Sequence, residues 1–489
     1  MLNLPTPDDA RRLREFFLEQ NYTDEALRAA LAGDYIPYER LVPRLLARTA
    51  EPRSLLNILA RWFIVGEPVD SAAARALVPE PILRLLLGSG LVAPAGERLA
   101  PQAMLVPFHG LLLATDCVRK VEARQQPDPI LSINPTTVWL YLFTLRRPFH
   151  ATLDLGTGCG IQALGAAAHS ERVVATDVNP RAAEFVAFNA RLNGVQNLEY
   201  LAGDLFQPVA SRRFDLIISN PPFFITPSSQ LQFAENPLEL DEFARRLVTE
   251  GAQHLEEGGF LQILCEWVEV RGESWQERLR TWFAGIGCDA WALKTYTNDP
   301  VRYTELRLPE MVPASERNEA QFRRWVDYYR SRGVEAIHDG LIMLRRRSGS
   351  NWVRTDEART LPNEPFGDAV LGLFASEDLL RSASGDAALR AARFKLSPHA
   401  RLTRHSSYAD GQWQTTPLEL WLKTGLVAAA PLALEPAVEQ FVRQFDGRRT
   451  LDELIAHLAA EVHARPERVR EECLRVTRKL LERGFLLVA

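Results

Sequence analysis

Between residues 8 and 32 apolar side chains recur at Leu13, Phe16 and Phe17, then at Ala26, Leu27, Ala30 and Leu31, the spacing of helices buried along one face. Thr23-Asp24 is placed to cap the second run. Further helical runs at Leu41–Arg48, Arg53–Phe63, Ala72–Leu77 and Pro81–Leu87 lead into Gly88-Ser89-Gly90-Leu91-Val92 and a polar turn over Pro94–Arg98. Helices followed by a small hairpin predict a winged-helix-like module, with a helical cap on a neighbouring domain as the alternative. From Ala151 to Arg346 the pattern changes, and short apolar β-type runs alternate with helical ones. That alternation predicts a parallel sheet with crossover helices, an α/β domain. Strands are expected at 151–155, 173–177, 198–202, 214–219, 259–265, 288–294 and 340–346, and helices near 161–169, 180–193, 238–256 and 274–284. Residues 299–339 interrupt the last strand pair and hold a helical stretch, Glu316–Ser331, readable as a functional lid or as packing.

Beyond residue 347 the periodicity weakens, with surface loops at 348–351 and 382–386 and a hairpin pair at 393–405 and 413–422. The last segment reads as three helices, Ala437–Phe445, Leu451–Val462 and Val469–Arg483, closed by the strand-like Phe485–Val488. Four domains are therefore expected: 1–128, 129–347, 348–430 and 431–489. A chain of 489 residues with 46% hydrophobic and 24% charged side chains can supply several cores, which excludes disordered, collagen-like and disulfide-scaffold classes.

Lys+Arg 57 against Asp+Glu 62 excludes a surface that is basic throughout, and the central 151–329 carries 16 basic and 25 acidic residues, a balance of −9. Cys117, Cys159, Cys265, Cys288 and Cys473 are too scattered for a metal knuckle or a disulfide framework. With no signal-like start and no long apolar run, a cytoplasmic protein that contacts no membrane is expected. The nine histidines form no metal-like spacing, and His399 and His405 are expected in solvent. Arg345-Arg346-Arg347 reads as a solvated strand end, with phosphate contact as the alternative.

The chemistry concentrates in four elements. Leu153-Asp154-Leu155-Gly156-Thr157-Gly158-Cys159-Gly160-Ile161 is a strand running into a glycine turn that opens a helix, so backbone can approach a ligand closely. Val173–Asp177 ends a second strand with an acid suited to a ribose diol, 21 residues after Gly156. These two alone leave a nicotinamide-dependent oxidoreductase open. Gly203-Asp204-Leu205-Phe206 then puts a carboxylate after the third strand, where an adenine amino group can donate to it beside apolar neighbours. Finally Phe214–Ser219 runs into Asn220-Pro221-Pro222-Phe223. An amide or exocyclic amine nitrogen is a poor nucleophile, and two acceptors, the Asn220 side-chain oxygen and the Pro221 carbonyl, would orient its two hydrogens. Proline presents that carbonyl rigidly, and Phe223 offers a flat apolar face for stacking. Cys159 fits the turn by its small size and needs no redox role.

In these four elements residues 130–346 resemble the class I S-adenosylmethionine (SAM)-dependent methyltransferases, specifically the amino-nitrogen-directed, HemK-like group with an (N/D)PP(F/Y) motif. The resemblance implies a Rossmann-like, doubly wound, mostly parallel sheet and SAM as cofactor, with no metal. It implies cofactor contacts from Asp154, Gly156, Thr157, Gly158, Gly160, Asp177, Val178, Asp204, Leu205 and Asn220, and catalytic roles for Asn220, Pro221 and Phe223. The segment Ile133-Asn134-Pro135-Thr136-Thr137 matches the part that covers the methionine end of SAM in relatives, and Phe224 is expected to pack. The C-terminal segment resembles peptide-clasping winged-helix modules of the PqqD type, through 445–454 and 480–488.

Within this group the implied acceptor is a planar amine: a guanine N2 or other base amine in RNA, ribosomal RNA above all, or alternatively a protein glutamine amide or a small-molecule amine. A helical domain ahead of the catalytic one favours RNA, and the acidic centre favours protein. Asn236-Pro237-Leu238-Glu239 stands where glutamine-directed relatives carry a glycine pair. A reading of another class is a non-catalytic SAM-binding adaptor that grips nucleic acid or peptide, against which stands the intact Asn220–Phe223 motif.

Overall fold

The computed structural model describes residues 2–31, 33, 42–50, 54–117, 128–227, 239–312, 317–358, 364–415, 418–423 and 431–489. Two compact units divide the chain: the first is Met1–Tyr141, Arg147–Trp291 and Tyr296–Val353, the second Leu142–Arg146, Ala292–Thr295 and Arg354–Ala489.

The central sheet is built from β1 (Phe149–Leu155), β2 (Ser170–Asp177), β3 (Leu198–Ala202), β4 (Phe214–Ser219), β5 (Leu255–Val270), β6 (Cys288–Asn298), β7 (Val334–Arg346) and β8 (Val353–Glu357). The helices are α1 (Pro135–Phe143), α2 (Ile161–Ala167), α3 (Ala182–Asn193), α4 (Glu242–Gln253), α5 (Trp275–Phe283), α6 (Pro300–Met311) and α7 (Glu319–Ser331). Strand order is β8-β6-β7-β5-β4-β1-β2-β3. Pairs β1–β2, β2–β3, β1–β4 and β4–β5 are parallel, and β5–β7 is antiparallel. The alternation predicted from Ala151 onward is thus observed as a Rossmann-like sheet whose strand order reverses at β1, the place where such sheets bind ligands.

Local chemistry explains the helix boundaries. Gly160 precedes α2 in the left-handed region (φ 86°), and α3 ends at Gly194 (φ 69°), where a side chain would be strained. Ser274 and Glu277 form a capping box at α5, and Asn318 caps α7. Two differences from the sequence reading fall in the 299–339 interruption. Helix α6 has no counterpart in that reading; Asp299 caps its start and Pro300 fills the first turn, where proline is tolerated. Strand β7 begins at Val334 because Val334–Asp339 pair with Glu266–Val270, which extends β5 past the predicted 265.

In the N-terminal part Val69–Asp70, Val92–Ala95 and Arg98–Pro101 form a three-stranded sheet behind the predicted helices, and Met104–Phe108 pairs with Leu111–Thr115. In the second unit the three predicted C-terminal helices occur at Pro436–Val442, Leu451–Glu461 and Pro466–Glu482. Their sheet has Arg393–Leu396 as its middle strand, between Asp446–Thr450 and Leu486–Val488, around fully buried Phe394. Ser406–Ala409 and Gln412–Thr415 make a hairpin with Tyr408 and Trp413 exposed.

The arginine run at 345–347 is not a solvated end: Arg345 lies 2.5 Å and Arg347 3.5 Å from fully buried Asp289, and Arg346 donates to the Ala252 carbonyl at 2.9 Å. A buried carboxylate needs such partners, so Arg345 is spent internally on Asp289, while Arg347 assists it from a position still 37% exposed. His405 is exposed, whereas His399 is partly buried and stacks on Phe366 at 5.2 Å. No helix among the described residues is long and apolar enough to cross a membrane, and none of their acidic, His or Cys side chains cluster as a metal site.

Candidate active site

Register brings the four sequence elements to one edge of the sheet. Leu155 pairs with Thr176 on one side and with Ser219 on the other, and Asp177 pairs with Ala202. Asn220, Gly156, Asp177 and Gly203 therefore follow one another across the carboxyl ends of the neighbouring strands β4, β1, β2 and β3.

At the glycine turn Gly156 (φ 73°) and Gly158 (φ 54°) hold conformations that side chains rarely adopt, and a Cβ built on either meets nothing within 4 Å. This open cradle fits the close approach of a cofactor. Gly160 serves another purpose, since a Cβ there would stand 3.3 Å from Val186. The carboxylate of Asp154 is turned inward, accepting from Thr157 Oγ1 at 2.6 Å and from the Ala163 amide at 2.9 Å, and burial pushes its pKa up to about 7. Asp154 and Thr157 thus brace the turn.

Asp177 accepts the Gly158 amide at 2.8 Å on Oδ2 and the Asn179 amide at 2.8 Å on Oδ1. Burial raises its pKa, and those amide bonds pull the other way. Each oxygen keeps a further lone pair, so a ribose diol can still be held. Next to it Val178 is 67% exposed. Asp204 is exposed and Leu205 half-buried, with φ 46°. Phe206 is buried and stacked on His254 at 4.7 Å, leaving Leu205 and Val178 as the apolar surface at this end.

At the fourth strand the Asn220 Nδ2 donates to Thr137 Oγ1 at 3.3 Å, and the Thr137 hydroxyl donates to Asn134 Oδ1 at 2.9 Å. The Asn220 amide is thereby anchored at its nitrogen. Pro221 is buried, Pro222 exposed, and Phe223 buried with its ring edge-on to Phe224 at 5.3 Å. Cys159 is buried, and desolvation pushes its thiol up to about 12.

Several contributors carried no motif. Asn189 of α3 donates from Nδ2 to the carbonyls of Cys159 (2.8 Å) and Ala114 (3.0 Å), and its Oδ1 accepts the Ala114 amide at 2.7 Å. One amide thereby joins the glycine turn to the Leu111–Thr115 strand. Asn179 reaches the Asp128 carbonyl at 2.9 Å, and Arg181 meets Asp116 at 2.8 Å, fastening the chain before α1 beside Asp177. Behind Phe223 lies a buried polar group of Glu266, Tyr303, Arg307 and Asp339. Only the polar spacing of Asn189 within an apolar helix was a usable signal. Asn236, Pro237 and Leu238 lie outside the described residues.

The strand order and strand-end geometry are similar to those of class I methyltransferase domains. Residues 136–268 match the family model of the methyltransferase small domain, in agreement with the resemblance carried by the four motifs. The release factor glutamine methyltransferase of Deinococcus radiodurans is 34% identical over 172 residues, 30% of this chain and 60% of that protein. Its namesake from Aquifex aeolicus is 31% identical over 125 residues, 22% of this chain and 44% of that protein. The chain thus spans about half the length of these curated relatives. A solved methyltransferase from Pyrococcus furiosus aligns over 44% of this chain and 85% of its own, at 19% identity and a TM-score of 0.27.

Proposed function

We propose that this protein transfers the methyl group of SAM to a planar NH2 nitrogen, and that the acceptor is a glutamine side-chain amide presented by a protein. The observation that carries the reading is the Asn220 amide, anchored through Nδ2 on Thr137 one residue beyond β4, in register with the open turn at Gly156–Gly158. Gly156 and Gly158 would let backbone approach the cofactor, Asp177 would hold its ribose, and Asp204, Val178 and Leu205 would meet its adenine. Bound SAM supplies a methyl group on a positively charged sulfur, already activated toward a nitrogen nucleophile. The chain's task is then positioning: Asn220 Oδ1 and the Pro221 carbonyl take the two N–H groups, align the nitrogen lone pair, and favour the positive charge that grows on it. Phe223 covers one side of the flat acceptor group.

Release factor glutamine methyltransferases, so named, are the relatives matched by this segment, which supports an amide over a base amine. Five buried cysteines, none of them in a disulfide, fit a cytoplasmic setting. Labelled SAM is incubated with the protein and separate pools of bacterial release factor, ribosomal RNA, transfer RNA and small metabolites. Label on release factor is expected. Label on an RNA pool alone moves the acceptor to a base amine, and bound SAM with no transfer to any pool leaves the adaptor reading instead.

A further inference from the structure

We propose that Tyr303, Tyr329 and Glu266 are positioning residues that fix the acceptor turn Asn220–Phe223 by clamping the backbone of Ile225, an inference that rests on the methyl-transfer reading. The amide of Ile225 donates to Tyr303 Oη at 3.1 Å and lies 3.3 Å from Glu266 Oε2, while its carbonyl accepts from Tyr329 Oη at 2.6 Å. Tyr303 in turn donates its hydroxyl proton to Glu266. Both polar backbone groups of one buried residue are thus held by side chains from β5, α6 and α7.

The clamp is itself held. Glu266 on β5 sits opposite Asp339 on β7, and Arg307 of α6 reaches both, at 3.0 and 3.2 Å. The same guanidinium lies 4.3 Å above the ring of Phe224. The side-chain partners of the Ile225 backbone, and the guanidinium over Phe224, therefore come from the 299–339 interruption or from the strand pair that carries it. One residue, Phe224, separates Ile225 from Phe223, so their Cα atoms are only two steps of about 3.8 Å apart along the chain and a shift of Ile225 moves the turn with it. Misplacement of a reacting group by about 1 Å can cost about a hundredfold in rate. Apolar packing of equal volume stabilises as well as buried charge does, so what this network adds is a defined location for the turn.

Tyr303→Phe and Tyr329→Phe each remove one hydroxyl and leave the ring in place. In the full-length protein, amide hydrogen exchange in a peptide covering 220–226 is read beside calorimetric SAM binding and methyl transfer to bacterial release factor. Exchange at 220–226 is expected to rise about tenfold, the effect of one lost hydrogen bond. Exchange in β1 and SAM affinity should move less than about twofold, with kcat falling about tenfold and KM moving less. Unchanged exchange at 220–226 in both variants overturns the clamp, and so does a uniform rise across the sheet with loss of SAM binding. If wild-type protein labels no acceptor, the transfer reading fails on its own, and the exchange pattern still decides on the clamp.

Discussion

Asp177 Oδ2 accepts the amide of Gly158 at 2.8 Å, so the end of β2 and the glycine turn after β1 are fastened by a charge-assisted hydrogen bond. Replacing Asp177 by Ala removes that fastening together with the ribose acceptor. A hydrogen bond to a charged group is worth about 1.5–3 kcal/mol, so SAM affinity should fall by about ten- to a hundredfold in a calorimetric titration. An unaltered dissociation constant would remove Asp177 from the cofactor site.

Asn220→Ala addresses the other half of the reaction. On the proposed reading Asn220, tied to Thr137, takes an N–H of the acceptor and not the cofactor, so SAM affinity should stay within about twofold while kcat drops by about a hundredfold or more. Binding isotherms and single-turnover transfer separate the two. Parallel losses would mean that the side chain only shapes the turn.

Asn189 holds three backbone groups, and Asn189→Leu leaves the Ala114 amide and carbonyl and the Cys159 carbonyl buried without it. At about 1 kcal/mol or more for each orphaned group, the melting temperature should fall by roughly 6–12 °C. Differential scanning fluorimetry measures this directly. A shift under about 1 °C would show that other groups take over these bonds.

Glu266 has its pKa pushed up to about 8, chiefly by burial, against the pull of Arg307 and with a further push from Asp339. A carboxyl whose folded pKa lies above the ordinary 4.5 binds its proton more tightly when folded. Its contribution to stability is therefore complete below about pH 4.5 and is lost as pH rises through about 8. Wild type should lose melting temperature relative to Glu266→Gln between about pH 5 and about pH 9. A pH-independent difference between the two would contradict the assignment.

The carboxyl-edge site was legible because each element is local: a strand, a turn-forming glycine or proline, and one polar residue at a strand end. Their order forces Gly156, Asp177, Asp204 and Asn220 onto one rim once the strands pair in parallel. The clamp was illegible for the opposite reason, since Tyr303 and Tyr329 meet Ile225 across 78 and 104 residues, and nothing in their own neighbourhoods marks them. Helix α6, which carries Tyr303 and Arg307, holds prolines at 300 and 309, and the sequence reading placed its one helix of this interruption further on, at Glu316–Ser331. Arg345 and Arg347 looked solvated because their partner, Asp289, lies on another strand, and Arg346 because its acceptor, the Ala252 carbonyl, lies at the end of α4.

The strand Arg393–Leu396 lies between two ribbons that come from beyond residue 445. A fragment opening at residue 431 would encode a sheet with its centre missing, so the three C-terminal helices are not a self-sufficient block and need the chain from Arg393 onward to close their sheet.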